Sequence, residues 1–430
     1  MNTKNVTLLF TARIIRLFAF GFMSVILVLF LSETGLSDAK IGLLLTMTLA
    51  GDVVLSFWVT AVADRIGRRR MLVFGAFLMA VSGVIFAVTR NPFALTLAAI
   101  IGIISPSGNE IGPFLSIEQA ALSQLIADKK RTVVFGWYNL AGSFATALGA
   151  LGGGWLSHLL QQNGVTAFES YRVIMMGYAL TGGMLMVLFI TLSPFVEVPK
   201  SQQVPSDSAK PAKTFIGLHR SRKVVIKLSA LFALDAFAGG FVVQSIMAYW
   251  FHTRFGVDTG VLGSIFFGAN ILAGISALLA TRIAAKIGLI NTMVFTHIPS
   301  NILLCLVPLM PGLGWAITLL LLRFSISQMD VPTRQSYTMA VVAPDERTAA
   351  SGITNIARSL GAALSPALSG LLLANPLFFS VPFFLAGGLK IVYDISLYKM
   401  FQHVKPPEEH DDEPECPALS VAEELGGTAG

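Results

Sequence analysis

Arg16, Glu118, Asp235 and Arg334 sit inside apolar sequence, where an ionisable side chain is costly unless paired or wetted and so becomes a candidate for function. Arg13, Asp52, Glu110, Arg323, Asp330, Arg358, Lys390 and Asp394 share that setting. Burial raises the pKa of a carboxyl group toward the range where it exchanges protons near neutral pH. Glu110 and Asp330 are therefore the expected proton-coupling carboxylates, with contact to a solute as the equal alternative. Arg323, Asp330 and Arg334 are spaced so as to form a stripe on one helix face. Lys390 and Asp394 read as a structural pair on one helix, and His297 as a satisfied core histidine.

An internal repeat relates several of these charges. Residues 330 to 372 match residues 114 to 156, with Arg334-Gln335 on Glu118-Gln119, Arg347-Thr348 on Arg131-Thr132, Gly352 on Gly136 and Asn355 on Asn139. RLFAFGF (Arg16 to Phe22) likewise matches DAFAGGF (Asp235 to Phe241). Charge is inverted at two matched places: Glu118 against Arg334, and Arg16 against Asp235. At a rise of about 1.5 Å per residue, all four lie roughly 12–18 Å from the same ends of their helices and form one layer. Within a half, Arg16 can neutralise Glu118 and Asp235 can neutralise Arg334. Between halves, Glu118 can reach Arg334, and an exchange of partners would work a gate without leaving a charge buried alone, which costs about 3–5 kcal/mol. A static set of pairs is the alternative. So long a repeat exceeds a solenoid unit of about 20–50 residues; it fits transporters built from two parallel bundles.

Composition narrows the class. The 430 residues are 54% hydrophobic and 13% charged, far more apolar surface than a soluble core hides. Apolar runs of about 20 residues recur, long enough to span a hydrocarbon core of about 30 Å, and most are apolar on every side. The net charge of +6 is not a nucleic-acid footprint. Arg68-Arg69-Arg70, Lys129-Lys130-Arg131 and the basic residues from Arg220 to Lys227 fall in loops on one side, the positive-inside bias. Both termini are accordingly expected in the cytoplasm, with the plasma membrane as the expected location. Two cysteines, Cys305 and Cys416, make no disulfide framework.

Twelve spans are predicted, six in each half. Those of the first half run over about 6–31, 37–62, 71–88, 93–126, 132–160 and 171–192; those of the second over about 224–251, 260–283, 291–309, 313–342, 347–373 and 377–400. Pro106 and Pro113 should kink the fourth. Residues 1–194 are expected as one six-helix bundle, 195–222 as a cytoplasmic linker, 223–400 as the second bundle and 401–430 as a disordered acidic tail. Gly142, Gly149, Gly152, Gly153 and Gly154 in the fifth span, with Gly361, Ser365 and Gly370 in the eleventh, allow close backbone approach, between the halves or within one.

The loop after the second span reads TAVADRIGRRRML (Thr60 to Leu72). It resembles the signature loop of the major facilitator superfamily: Asp64, Arg65, Gly67, Arg68 and Arg69 match, and Thr60 stands for the leading Gly. IAAKIGLINTM (Ile283 to Met293) is a faded second copy that keeps Lys286 and Gly288 and has Ala285 for the Asp. The resemblance covers about residues 6 to 400. It implies an all-α polytopic membrane protein of 12 transmembrane helices, arranged as two pseudo-symmetric six-helix bundles, with the first, fourth, seventh and tenth lining a central cavity. It also implies that the second and eleventh helices face each other, and the matched depths of Asp52 and Arg358 then predict a salt bridge between the halves. Asp64 would accept hydrogen bonds from the start of the eleventh helix, and the loop arginines would sit among lipid headgroups. Likeness to the drug/proton antiporter branch is slighter: Gly142, Gly149 and Gly153 fit its spacing, while Gly153-Gly154 replaces its Gly-Pro, and Ser107 and Glu110 occupy the place of its arginine.

There is no phosphate-cradling loop, HExxH or Cys cluster to suggest an ATP-driven pump or an intramembrane metalloenzyme, and no cofactor, metal or nucleic-acid partner is expected. The expectation is a non-enzymatic, monomeric secondary active transporter in a lipid bilayer. It would move a small polar, anionic or zwitterionic solute by alternating access, with protons as coupling ion. A passive uniporter of the same fold, a drug/proton antiporter exporting amphipathic compounds and a non-transporting receptor are the alternatives.

Overall fold

The computed structural model describes residues 3–108, 114–126, 128–197, 220–343 and 346–404, and every regular element among them is helical. Glu110, residues 198–219 of the expected linker and residues 405–430 of the expected tail lie outside the described residues, as do the side chains of Asp64 and Arg65. Nine helical spans among the described residues are long and apolar enough to cross a membrane.

Four of the twelve expected spans are interrupted, and they are the same ones in each half. The first is α1 (Thr3–Ser24) and α2 (Leu27–Glu33); after α3 (Asp38–Ile66) and α4 (Arg68–Val88), the fourth is α5 (Pro92–Ile101) and α6 (Phe114–Leu125). Then come α7 (Asp128–Gln162) and α8 (Ala167–Ile190). The seventh is α9 (Arg222–Gly240) and α10 (Gln244–Phe255), followed by α11 (Thr259–Ile287) and α12 (Leu289–Leu306). The tenth is α13 (Leu313–Phe324) and α14 (Asp330–Ala340), with α15 (Arg347–Leu373) and α16 (Val381–Phe401) closing the chain.

The fourth span was expected to kink at its prolines, and it breaks instead. Gly102 leaves the helix in an extended conformation (φ −85°, ψ 151°). Pro106 disfavours helical geometry at Ser105, and Gly108 takes φ +70°, which suits glycine. Irregular backbone at membrane depth must find its partners inside the protein. Here the Tyr178 hydroxyl donates to the Ile103 carbonyl, Thr146 Oγ1 donates to the Gly108 carbonyl at 3.3 Å, and Ser245 N, an orphan donor in the first turn of α10, reaches the Pro106 carbonyl at 3.1 Å.

The signature loop has a backbone reason of its own. Gly67 joins α3 to α4 at φ +116°, and Gly288 joins α11 to α12 at φ +84°, a region that side chains with a Cβ avoid. The faded copy therefore keeps its glycine where it loses its acid. Arg68 and Arg69, expected among lipid headgroups, have partners within the protein. Glu197 accepts from their backbone N–H groups at 2.6 and 3.2 Å, capping α4. Arg68 Nη1 donates to Gln124 Oε1 at 3.0 Å, and Arg69 Nη1 to the Leu192 carbonyl at 3.1 Å.

The chain divides into two compact units, one of Met1–Val204, Val242–Ile271 and Pro366–Phe379, the other of Pro205–Phe241, Leu272–Ser365 and Ser380–Gly430. In the first, α7 lies so close on α1 that a Cβ on Gly149 or Gly153 would strike the Phe18 or Phe22 carbonyl oxygen. This is packing within one sequence half. Gly154 and Gly370 instead bring the sequence halves together inside the same unit: a Cβ on Gly154 would lie 2.7 Å from Gly263 Cα, and one on Gly370 2.8 Å from Gly42 Cα. Gln244 Nε2 donates to Ser24 Oγ at 2.7 Å, Tyr249 OH to Asp38 Oδ1 at 2.8 Å and Trp155 Nε1 to Ser264 Oγ at 3.0 Å, tying residues 242–271 to the first half. In the second unit α9 packs on α15, where a Cβ on Gly361 would meet the Ala233 carbonyl. Phe232, Met293, Tyr337, Tyr393, Leu397 and Phe401 fill its core.

These contacts give a paired expectation. Gly149→Ala should destabilise by about 1–3 kcal/mol or more through overpacking and remove most of the monodisperse peak in size-exclusion chromatography. Gly152→Ala, whose added methyl would make ordinary contact with the Phe18 and Phe22 rings at 3.6 and 3.9 Å, should leave that peak intact.

Candidate functional site

In the first unit the charge layer is a closed fork. Arg16 on α1 donates from Nη1 to Glu118 Oε1 at 2.6 Å and from Nη2 to Oε2 at 2.7 Å, both side chains being 0% exposed. The Tyr138 hydroxyl on α7 also donates to Glu118 Oε2, and the guanidinium lies over the Phe114 ring, 4.6 Å from its centroid. Paired charges with two parallel hydrogen bonds are the strong form of the interaction. Beside them Arg13 Nη2 donates to Asn139 Oδ1 at 3.2 Å and stacks over Tyr138.

In the second unit the inverted pair is the centre of a larger network. Arg334 Nη1 on α14 lies 3.2 Å from Asp235 Oδ2 on α9 and 2.8 Å from Asp330 Oδ2, while Lys390 Nζ on α16 takes the other oxygen of Asp235 at 2.5 Å. The expected Lys390–Asp394 pair is thus corrected. Lys390 turns to Asp235, and Asp394 instead meets His297 Nδ1 at 2.8 Å and Asn301 Nδ2 at 3.0 Å. The spacing of Lys390 and Asp394 suits a helical pair, but each finds a partner across a helix interface that is shielded from water.

The stripe expected from Arg323 through Asp330 to Arg334 is interrupted as well. Asp330 and Arg334 pair one turn apart on α14, but residues 325–329 break the helix and leave Arg323 in the last turn of α13. The break puts a carboxylate at the start of one helix and a guanidinium at the end of the other, the favourable arrangement for both helix dipoles. Both are buried.

The within-half partners anticipated from the repeat, Arg16 with Glu118 and Asp235 with Arg334, are therefore brought together. Asp52 belongs to the first unit, where Ser56 Oγ donates to it at 3.4 Å, and Arg358 to the second; their pairing stays a proposal, as does exchange of partners between the halves. The parts played by Tyr138 and Lys390 were missed. Tyr138 directly precedes Asn139, one of the repeat-matched residues, and its counterpart is Thr354, whose hydroxyl only returns to its own helix at Ala350 O, 2.9 Å away. Where the first half completes its pair with a phenol, the second recruits a lysine. Phe18 and Phe22 stack on each other, while Phe237 and Phe241 meet edge to face. No group of three or more His, Cys, Asp and Glu able to hold a metal occurs among the described residues.

The fold is similar to that of a D-xylose-proton symporter (16% identity, TM-score 0.70, covering 92% of this chain and 97% of that one). It is also similar to a bacterial homolog of the human lysosomal transporter Spinster, solved inward-facing and unoccupied (17%, 0.68, 93% and 96%), and to the nucleoside transporter NupG (16%, 0.68, 94% and 100%). Identities this low speak for the fold alone. In sequence the chain is 30% identical over 423 residues to the uncharacterized membrane protein YJR124C of Saccharomyces cerevisiae, covering 93% of this chain and 94% of that protein. The family model of the Major Facilitator Superfamily matches residues 9–366, nearly the whole of the chain that carries these helices, and the chain belongs to the Major Facilitator Superfamily.

Proposed function

We propose that the protein is a secondary active transporter moving a small polar, anionic or zwitterionic solute by alternating access, coupled to protons. One observation carries this reading: each unit buries a carboxylate–guanidinium pair at equivalent positions, in opposite order, on helices beside a break. Apolar residues would stabilise a static scaffold as well or better, so ion pairs retained in both halves are more useful as elements that can exchange partners. The fold neighbours act on xylose with a proton and on nucleosides, solutes of the same polar class. Arg16, Glu110, Glu118, Asp235, Arg323, Asp330 and Arg334 are assigned to solute or proton handling, and Asp52, Arg358 and the Asp64–Arg69 loop to gating, with residues 1–194 and 223–400 as the two moving bundles. A monomer in the plasma membrane with cytoplasmic termini completes the proposal.

The test uses proteoliposomes loaded with a pH-sensitive dye and presented with pyruvate, benzoate, xylose or uridine. Solute-dependent acidification of the lumen, and accumulation that collapses with a protonophore, are expected for at least one of them. Uptake that equilibrates identically with and without a pH gradient would make the protein a uniporter.

A further inference from the structure

We infer that His297 and Asp394, in the second unit, form the site at which the protein takes up and releases a proton inside the membrane. The inference rests on the transport reading for one step, in which this proton is the coupling ion and the pair, rather than Asp330, carries it. Among the described residues the buried carboxylates within helices are Glu118, Asp235, Asp330 and Asp394. Glu118 is held by Arg16, Asp330 by Arg334, and Asp235 by Arg334 and Lys390. A guanidinium stays charged at every physiological pH, so a proton added to any of these three would take the counter-charge from a buried cation, the costly state. Asp394 is different. It is 0% exposed and is met by His297 Nδ1 at 2.8 Å and Asn301 Nδ2 at 3.0 Å, an imidazole and a neutral amide. Histidine is the side chain whose charge changes between about pH 5 and 8, so here a proton can come and go without breaking an arginine pair.

The contact also says where that proton goes. Nδ1 and the carboxylate already share one, so a second enters at Nε2, and the hydrogen bond to Asp394 holds in both states. Loading takes the pair from one negative charge to none. Ser300, one turn along the same face of α12, has a buried Oγ without a partner among the described residues and can accept from the new N–H. The neighbouring charges stay as they are. Packed on α12 are α13, α14 and α16. Asp330 and Arg334 of α14 pair with each other, and Lys390 of α16 turns to Asp235 of α9. Tyr393 of α16 meets the imidazole edge to face, 6.1 Å between ring centres, and Arg323 ends α13 with no hydrogen bond to the pair.

The experiment is nitrogen NMR of the purified full-length protein carrying 15N-labelled histidine, with His158, His219, His252, His403 and His410 replaced by Gln so that the one imidazole left is His297. Nδ1 should stay protonated throughout, and Nε2 should gain its proton between about pH 5 and 9. Asp394→Asn in that background should weaken proton binding at Nε2 at least tenfold, because the imidazolium loses its counter-charge, while Arg254→Gln, an exposed change in the first unit, should leave it unchanged. An Nε2 that does not titrate in that range, or titrates alike with and without Asp394, would overturn the site. The titration needs no change at the pair, so it decides the matter even where Asp394→Asn fails to fold. In proteoliposomes, His297→Gln and Asp394→Asn should each cut accumulation driven by a pH gradient at least tenfold, and accumulation unchanged in both would take the coupling role from the pair. Titration at His297 without uptake of any solute would sink the transport reading and leave the site standing; uptake driven by the gradient with a silent His297 would do the reverse.

Discussion

Glu118→Gln is expected to destabilise the protein by about 3–5 kcal/mol and to lower uptake at least tenfold. It replaces the partner of a guanidinium that is 0% exposed, and the amide offers one acceptor oxygen where the carboxylate takes two bonds from Arg16 and a third from Tyr138. The charge cannot retreat to water and cannot be neutralised, since arginine stays protonated. The double variant Arg16→Met with Glu118→Met removes both charges and should regain most of the melting temperature, as exchanges of buried ion pairs for apolar residues do. Uptake should stay lost in that double variant. A double variant that folds and transports normally would reduce the pair to scaffolding. Tyr138→Phe removes one neutral donor and should cost about 1–2 kcal/mol, a graded control on the same carboxylate.

Asp235→Asn should have the other large effect, because one carboxylate serves two cations. Its loss leaves Lys390 without its 2.5 Å partner and Arg334 with Asp330 alone. A fall of about 3–5 kcal/mol in stability and a tenfold or greater loss of uptake are expected. A double-mutant cycle checks the partner assignment directly. Asp235→Asn with Lys390→Met should show a coupling energy above about 1 kcal/mol, while Asp394→Asn with Lys390→Met should be additive to within about 0.5 kcal/mol. The opposite result would restore the pairing of Lys390 with Asp394 that their spacing alone suggests. Transport by the Asp235→Asn, Lys390→Met variant would show that the network serves stability only.

The inverted charges were legible because the repeat supplied a register: once RLFAFGF is laid on DAFAGGF, Arg16 and Asp235 must occupy equivalent places, and a buried charge on a neighbouring helix at the same depth must answer each. Gly67 and Gly288 were legible as matched positions of the two loop copies, and the backbone gave the reason, since both have positive φ. Span length, apolar character and charge bias all derive from transfer energies that act residue by residue, and a sequence carries them without reference to its fold.

Other features depended on which surfaces meet. The break after Ile101 holds because Tyr178, Thr146 and Ser245 come from other helices to satisfy the freed backbone; spacing along the fourth span contains none of them. Lys390 and Asp394 share a helix turn, yet the side chains that answer them are Asp235 on α9 and His297 on α12. Hydrogen bonding and charge pairing in a water-free interior are decided by what lies within about 3 Å, and that neighbourhood is composed of residues far apart in the chain. Sequence alone determined that this protein spans a membrane, is built twice and carries opposite charges at matched places. Only the tertiary structure decided which buried charge met which, because packing, rather than order along the chain, assigns each buried charge its neighbour.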